Sequence, residues 1–453
     1  MQKQQSHASG AELLHLTWPI FLELLLQIMV GNVDQFMVAS YDQNAVGGIA
    51  NANQILNIFL LVFSMISMAT SILISQYRGA GKERQIHQIY TLSCVVNLAL
   101  GLLIGLLLQL LSGPLFRMMN VPSAFQAAAD TYIHHVGVFS FVQALYMTFT
   151  AIFRSNHQMT IGLVISCITN LVNVLGNFFL IRGFGPLPAM GVQGAAIATN
   201  LSRGIGLAAM VFLFHHRLHG RLQLRSLRPF PFTLLRQMLA IGVPAGGETF
   251  SYNITQIMVM TFINSFGVVS AMAYSYCHTI TYFATLYCAA ISQTVQILVG
   301  YYAGAQNDAA AKSLVRWAVR TSMCFTLCGS TLIFLFSQPL LSLFGAAEAV
   351  KQLGKTVLLM DIFRQLGRSY NLLYIRALQG AGDIRFPVTL GIVCMWTFVV
   401  GLGYVFGQVL GMGLAGIWLA MMLDEHFRGL VFHRRWKSGI WMDKARRLVQ
   451  SAG

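Results

Sequence analysis

The chain has 453 residues, of which 56% are hydrophobic and only 9% charged, with a formal net charge of +15. A soluble domain carries roughly a quarter of its residues as charged side chains, so this composition excludes a water-facing surface. Apolar runs of bilayer-spanning length fill the chain, which marks an all-α polytopic membrane protein.

The first ten residues are polar, and no small-residue cleavage site follows a short apolar core, so no cleavable signal peptide is expected. Twelve apolar stretches follow, at 13–38, 46–76, 88–112, 128–152, 160–181, 191–214, 234–265, 268–302, 313–336, 350–376, 386–408 and 412–432. Lipid offers the backbone no hydrogen-bond partners, so each is expected to be a transmembrane helix.

The first stretch carries Glu23, Gln27, Val30 and Asp34, spaced four, three and four apart and therefore on one helix face. An ionisable group near the bilayer centre costs at least about 2.5–3.5 kcal/mol on insertion scales, and persists where it faces a cavity or has a partner. A carboxyl group in a poorly solvated surround holds its proton to higher pH, so Asp34 is expected to be a reversible proton or cation site. The competing reading makes it a packing carboxylate at the helix end. Glu23 suits structural pairing and function equally.

The fifth stretch reads "NLVNVLGNFFLI" and puts Asn170, Asn173 and Asn177 on one face. A triple-amide stripe in lipid is expected to line a polar pocket shared with the first helix or to bond across helices. In the sixth, Thr199 and Arg203 can close the same pocket, and Arg203 can equally neutralise an acid. The seventh carries Glu248 after Pro244, with the same two readings as Glu23. The tenth puts Asp361, Arg364, Gln365 and Arg368 on one face, an internally compensated set that reads first as bracing. All seven cysteines fall inside apolar runs, none with metal-type Cys-x-x-Cys spacing, and Cys324 and Cys328 read as small buried hydrophobes. No metal and no organic cofactor are expected.

Lys and Arg set the topology. With the N-terminus inside, the inner connections carry Arg78, Lys82, Arg84, Arg154, Arg217, Arg221, Arg225, Arg228, Lys312, Arg316 and Arg385, and the tail adds six more basic residues from Arg434 to Arg447. The outer side keeps Arg117, Arg182, Lys351 and Lys355. Both ends are therefore expected in the cytoplasm, and the basic collar is expected to meet anionic lipid rather than nucleic acid.

The basic, proline-bearing segment 215–232 falls near mid-chain, between an expected N-lobe at 1–214 and C-lobe at 233–453. A repeat joins these halves at an offset of 225: Pro19 matches Pro244, Glu23 matches Glu248, "SQYRGAGK" (75–82) matches "GYYAGAQN" (300–307), and "FRSNHQMT" (153–160) matches "LQGAGDIR" (378–385). After a three-residue shift "MGVQGAA" (190–196) meets "MGLAGIW" (412–418). Six helices return the chain to the starting side, so the lobes are expected to be related by a pseudo-two-fold axis along the membrane normal. Asp34 has no acidic counterpart, since Val259 stands at the matching position. No Walker loop, His-Glu-x-x-His or nucleophile elbow occurs, so an ion gradient rather than catalysis is expected to drive transport.

"VDQFMV", "SQYRGAGK", the asparagine run before "FFLI" followed by "GVQGAAIAT" (191–199), and "RALQGAGDIRFP" (376–387) resemble the MATE family of multidrug and toxic compound extrusion antiporters, and most of all its DinF-like prokaryotic branch. The resemblance implies two six-helix lobes around a central cleft, opened alternately to either side of the inner membrane. It implies export of amphipathic, often cationic organic compounds in exchange for protons, by a chain acting as a monomer. It places the proton on Asp34, a helix bend near Pro19, cavity or network roles on Gln27, Asn173 and, more loosely, Tyr132. Where many relatives carry Leu-Asp-Pro this chain has "GNF", with Asn177 in place of the second acid. Glu248 and Asp361 match the acids of sodium-coupled relatives only approximately, which leaves sodium coupling as the alternative. A lipid-linked oligosaccharide flippase and a non-transporting scaffold are the rival readings; the acidic first helix and the repeat count against them.

Overall fold

A computed structural model describes residues 10–185 and 188–450. Among the described residues fifteen α-helices form and no β-strand: α1 (Gly10–Ala39), α2 (Gln43–Gly79), α3 (Glu83–Met118), α4 (Ser123–Val138), α5 (Ser140–Ser155), α6 (Met159–Arg182), α7 (Gly191–Arg217), α8 (Phe232–Ser265), α9 (Val268–Gly304), α10 (Asp308–Leu335), α11 (Ser337–Leu343), α12 (Glu348–Gly380), α13 (Arg385–Cys394), α14 (Gly413–Lys437) and α15 (Ile440–Gln450). Each of the twelve expected stretches finds a helix, and the all-α membrane class holds.

Eight of these helices are long and apolar enough to cross a bilayer, with α13 and its continuation to Val409 taken as one, and the bent pair α4–α5 makes a ninth among the described residues. In α3 only 33% of the most apolar window is buried, and Leu103, Leu106 and Leu110 stand exposed on one face. Such a belt is solvated by lipid tails. Contrary to expectation, Cys324 and Cys328 on α10 are exposed, as is Cys167 on α6, while Cys94, Cys277, Cys288 and Cys394 are buried. The remaining long helices, α8, α12 and α14, carry more of the polar side chains.

Two stretches expected as regular helices are not. The fourth is broken between α4 and α5, which meet at 55°. Around the break the Gln109 amide donates to the His134 carbonyl at 2.8 Å and the Asn200 amide to the His135 carbonyl at 2.7 Å, so neighbouring side chains supply donors beside the bend. The eleventh widens into π-helical turns at Met395–Leu402 and Val405–Val409.

The chain divides into two compact units. One, here the N-unit, comprises Leu22–Ile74 and Lys82–Gly242; the other, the C-unit, comprises Val243–Gly453 with Ser75–Gly81 and the chain up to Phe21. Relative to the division at 1–214, 215–232 and 233–453, the basic segment goes with the N-unit. It lies along α3, where the Gln223 backbone N–H donates to Thr91 Oγ1 at 3.1 Å and the Gln88 amide to the Ser226 carbonyl at 3.2 Å. In the N-unit core a polar knot ties three helices: the Asn97 amide donates to Thr148 Oγ1 at 2.7 Å and to Ser67 Oγ at 3.4 Å. Bonds of this kind take the place of the hydrophobic effect, which lipid does not supply between helices.

The repeat is visible in the contacts. In the C-unit a Cβ on Gly79 would collide with the Tyr301 carbonyl oxygen, and one on Gly304 with the Gln76 carbonyl oxygen. Gly79 pairs with Gly304, and Gln76 with Tyr301, at the offset read from sequence. The ends of α2 and α9 thus cross with backbone against backbone, which only glycine permits. Gly304→Leu is expected to force the helices apart, at a cost of at least about 1–3 kcal/mol for overpacking. The measurement is thermal unfolding of detergent-purified protein; a variant melting with the parent would contradict the crossing.

Candidate functional site

After Pro19, which lies inside the continuous helix α1, the chain passes at Phe21–Leu22 from the C-unit to the N-unit. The rest of α1 presents its polar face within the N-unit. Asp34 is half-buried there, and the Asn177 amide on α6 donates to its Oδ1 at 2.7 Å. Asn173, one turn earlier and 6% exposed, reaches the same carboxylate. With its NH2 turned toward Asp34, it donates to Oδ1 at 2.8 Å and Oδ2 at 3.1 Å. In the opposite orientation its carbonyl faces Asp34, and its NH2 donates to Thr199 Oγ1 on α7 at 3.4 Å. Thr199 in turn donates to the Ala195 carbonyl at 2.9 Å. The buried Tyr132 hydroxyl on α4 stands beside Thr199, and Arg203 is near enough for its charge to act on both Tyr132 and Asp34. Arg203 forms no ion pair among the described residues. On its Asn177 side the network borders a cavity of about 160 Å³, bounded also by Phe36, Ser40, Ile181 and Arg182.

Asp34, Asn173, Asn177, Thr199, Tyr132 and Arg203 are therefore brought together, by α1, α4, α6 and α7. Gln27 is exposed and has no hydrogen bond among the described residues. Asn170 turns away to Ser166 Oγ at 3.5 Å.

Other intramembrane acids sit elsewhere, each with partners of its own. Glu23, 3% exposed, is in an ion pair with Arg154 on α5 at 2.8 Å. In the C-unit the Gln379 amide approaches Glu248 Oε2 at 3.5 Å. The two pairs have the same sequence separation, so the repeat carries the contact as well as the glutamate, with an amide in place of the arginine. Asp361 accepts from Arg364 Nε at 2.6 Å, Gln365 Nε2 at 3.1 Å and Trp418 Nε1 at 3.0 Å. Val259, at the position that matches Asp34, is fully buried in an apolar cluster with Val399 and Ile417.

One charged group escaped the sequence reading. Asp424, Glu425 and Arg428 sit together on α14, where Arg428 bonds Asp424 and lies 3.6 Å from Glu425. The run "DEHFR" inside an apolar stretch was the available signal.

A half-buried acid held among amides can take up and give back a proton, because its neighbours can turn from donor to acceptor as it does so. A two-unit, all-helical membrane protein with an internal repeat has the organisation of repeat-built membrane transporters. The MatE family model matches residues 19–179 and 244–405, two blocks that begin on the prolines the repeat pairs. The chain is 35% identical over 432 residues to an uncharacterized transporter, YisQ, of Bacillus subtilis, covering 95% of each chain. It is 24% identical to a probable multidrug resistance protein NorM of Thermotoga maritima, over 98% of this chain and 96% of that one. The bent form of the Vibrio cholerae MATE transporter VcmN superposes with a TM-score of 0.88 at 19% identity, over 97% of this chain and 98% of that one. The chain belongs to the MATE family of transporters.

Proposed function

We propose that this transporter exports amphipathic, often cationic organic compounds in exchange for protons, and that Asp34 binds the coupling proton. The observation that carries this reading is the set of partners around Asp34: the carboxylate meets two amides and, among the described residues, forms no ion pair, with Arg203 reaching it only through its charge. Compensation by a fixed cation, as at Glu23, would lock the charge; amides leave it free to titrate.

Ionised Asp34 accepts from Asn177 and from the NH2 of Asn173. Protonated Asp34 gains a donor, which suits the other Asn173 orientation, with its carbonyl toward the acid and its NH2 on Thr199. The proton thereby decides whether Asn173 on α6 donates to Thr199 on α7. Pro19, whose ring removes a backbone donor from α1, gives the helix a place to bend in response. Names of relatives as probable multidrug resistance proteins support the substrate class. The basic inner connections support a plasma-membrane protein with both ends in the cytoplasm, and the site supports protons over sodium because none of its other members is acidic. The test is dye efflux from liposomes holding the purified protein. An inward-directed proton gradient is expected to drive efflux, and a sodium gradient alone is not; the reverse would overturn proton coupling.

Cysteine labelling in cells tests the orientation. A cysteine at Arg221 is expected to be reached from inside only and one at Asp42 from outside. Labelling of position 221 from outside would contradict the topology.

A further inference from the structure

We propose that residues 215–232 form a docking surface of the N-unit for anionic phospholipid, in which arginines hold the headgroups and neighbouring leucine and phenylalanine side chains enter the acyl boundary. The segment leaves the end of α7, which is long and apolar enough to cross a bilayer, and leads to the start of α8 at Phe232. Its start therefore lies at a membrane face. The proposal goes beyond the export reading and does not depend on it.

The segment is a folded strap. The Gly220 backbone N–H donates to the Phe214 carbonyl at 3.1 Å, and Gly220 lies so close to the Phe214 ring that a Cβ would collide with it. A 3-10 turn at Leu224–Leu227 buries Leu227, and bonds to Gln88 and Thr91 tie that turn to α3. These inward contacts fix what faces out. Arg217, Arg221, Arg225 and Arg228 are exposed and form no ion pair among the described residues, and the strap contains no acid. Beside them Leu224 is 70% exposed and Phe232 71%, with Leu222 and Phe230 also turned outward. The Phe230 and Phe232 rings pack edge to face with centroids 4.8 Å apart.

Apolar side chains scattered singly over a surface need no explanation. Four within residues 222–232, interleaved with unopposed arginines, form a set. Water penalises such a set, whereas the boundary between headgroups and acyl chains satisfies both halves of it. Charge selects the lipid: guanidiniums without acidic neighbours favour phosphate headgroups of net negative charge over zwitterionic ones. A nucleic acid would engage the arginines and leave Leu222 and Leu224 in water. The place of the strap, at the end of a membrane-crossing helix, puts lipid within reach with no further partner.

The experiment places the full chain in nanodiscs of phosphatidylcholine alone, or of phosphatidylcholine and phosphatidylglycerol in equal parts. It follows labelling of Leu224→Cys by a neutral, water-soluble maleimide, after subtraction of the parent's own labelling. Labelling is expected to be at least about tenfold slower in the anionic discs, since each arginine at an anionic surface is worth about fivefold. Salt at about 1 M, where the Debye length falls to about 3 Å, is expected to remove the difference. Arg221→Gln, Arg225→Gln and Arg228→Gln together are expected to bring the two discs level. Glutamine at Lys437, Lys444 and Arg447 in the tail is expected to leave the difference intact, and Glu83→Cys, outside the strap, is expected to label equally in both discs. Equal rates at position 224 would overturn the proposal, as would a difference that survives the arginine changes or 1 M salt. Loss of the difference in the tail variant, or equal slowing at position 83, would assign the effect to the basic face at large and overturn the strap as the surface. Protection of position 224 by a short RNA in phosphatidylcholine discs would overturn lipid as the partner.

Discussion

Asp34→Asn is expected to fold, insert and bind cargo, and to lose proton-driven efflux to the level of empty liposomes. Asparagine keeps the shape of the side chain and one acceptor oxygen for the Asn177 amide, which donates to Asp34 Oδ1 at 2.7 Å. It cannot take up a proton between the two states. Cargo binding in the variant is expected to be independent of pH across the range in which the parent responds. The measurements are dye efflux under an imposed proton gradient and cargo affinity at several pH values. Parent-like, pH-dependent efflux would remove Asp34 from the mechanism and direct attention to Glu23 and Glu248. Asn177→Ala, in contrast, keeps the titrating group and removes only a donor to its ionised form, so it is expected to move the pH dependence and retain transport.

Arg154→Ala is expected to have the largest effect on stability. Glu23 is 3% exposed and its ion-pair partner is Arg154, 17% exposed, at 2.8 Å. Removing one member of a buried pair strands the other, at a cost of about 3–5 kcal/mol. The reverse substitution, Glu23→Gln, strands an arginine that already reaches the surface and is expected to cost less. A double variant, Glu23→Gln with Arg154→Gln, is expected to recover much of the loss, because no charge is left without compensation. Thermal unfolding of the three purified variants reads the order directly. Arg154→Ala as stable as the parent would show that the pair does not brace the N-unit.

The contrast between Asp34 and Glu23 shows how far sequence reaches. Glu23, Gln27 and Asp34 on one face, and three asparagines on another, follow from helical period alone, and the structure joins Asp34 to two of those asparagines. The period does not say which acid has a cation for company. Arg154 is remote from Glu23 in sequence and on a helix that follows a bend, so no local spacing connects them. The repeat came closest: it pairs Glu23 with Glu248 and Arg154 with Gln379, and both pairs are in contact. It also marks Gly79 and Gly304, whose shared close crossing becomes evident only with the backbone in place.

Elsewhere the sequence showed composition and the fold changed its meaning. Asp361 reads from spacing as part of a compensated set, and it does accept from Arg364 and Gln365; what spacing could not supply is the Trp418 indole, from a distant helix, which adds a third donor. Arg368, from the same face, is left facing a cavity. The broken α4–α5 span and the π-helical turns after α13 had no sequence signal, because neither contains a proline and both read as continuous apolar runs. Both depend on tertiary partners, such as Gln109 and Asn200 at the bend.

A transporter in which Asp34 exchanges its proton for cargo must release that proton when cargo binds. Proton release on cargo binding tests it without any transport assay. Purified protein in a weakly buffered detergent solution, at a pH where the site is loaded, is mixed with a cationic dye, and the protons freed are read with a pH indicator. Antiport through a single titrating site predicts release of about one proton per protein on saturation, by the reciprocity of linked binding, and none from Asp34→Asn. Undiminished release from Asp34→Asn, or saturable binding to the parent with no release at any pH, would contradict it.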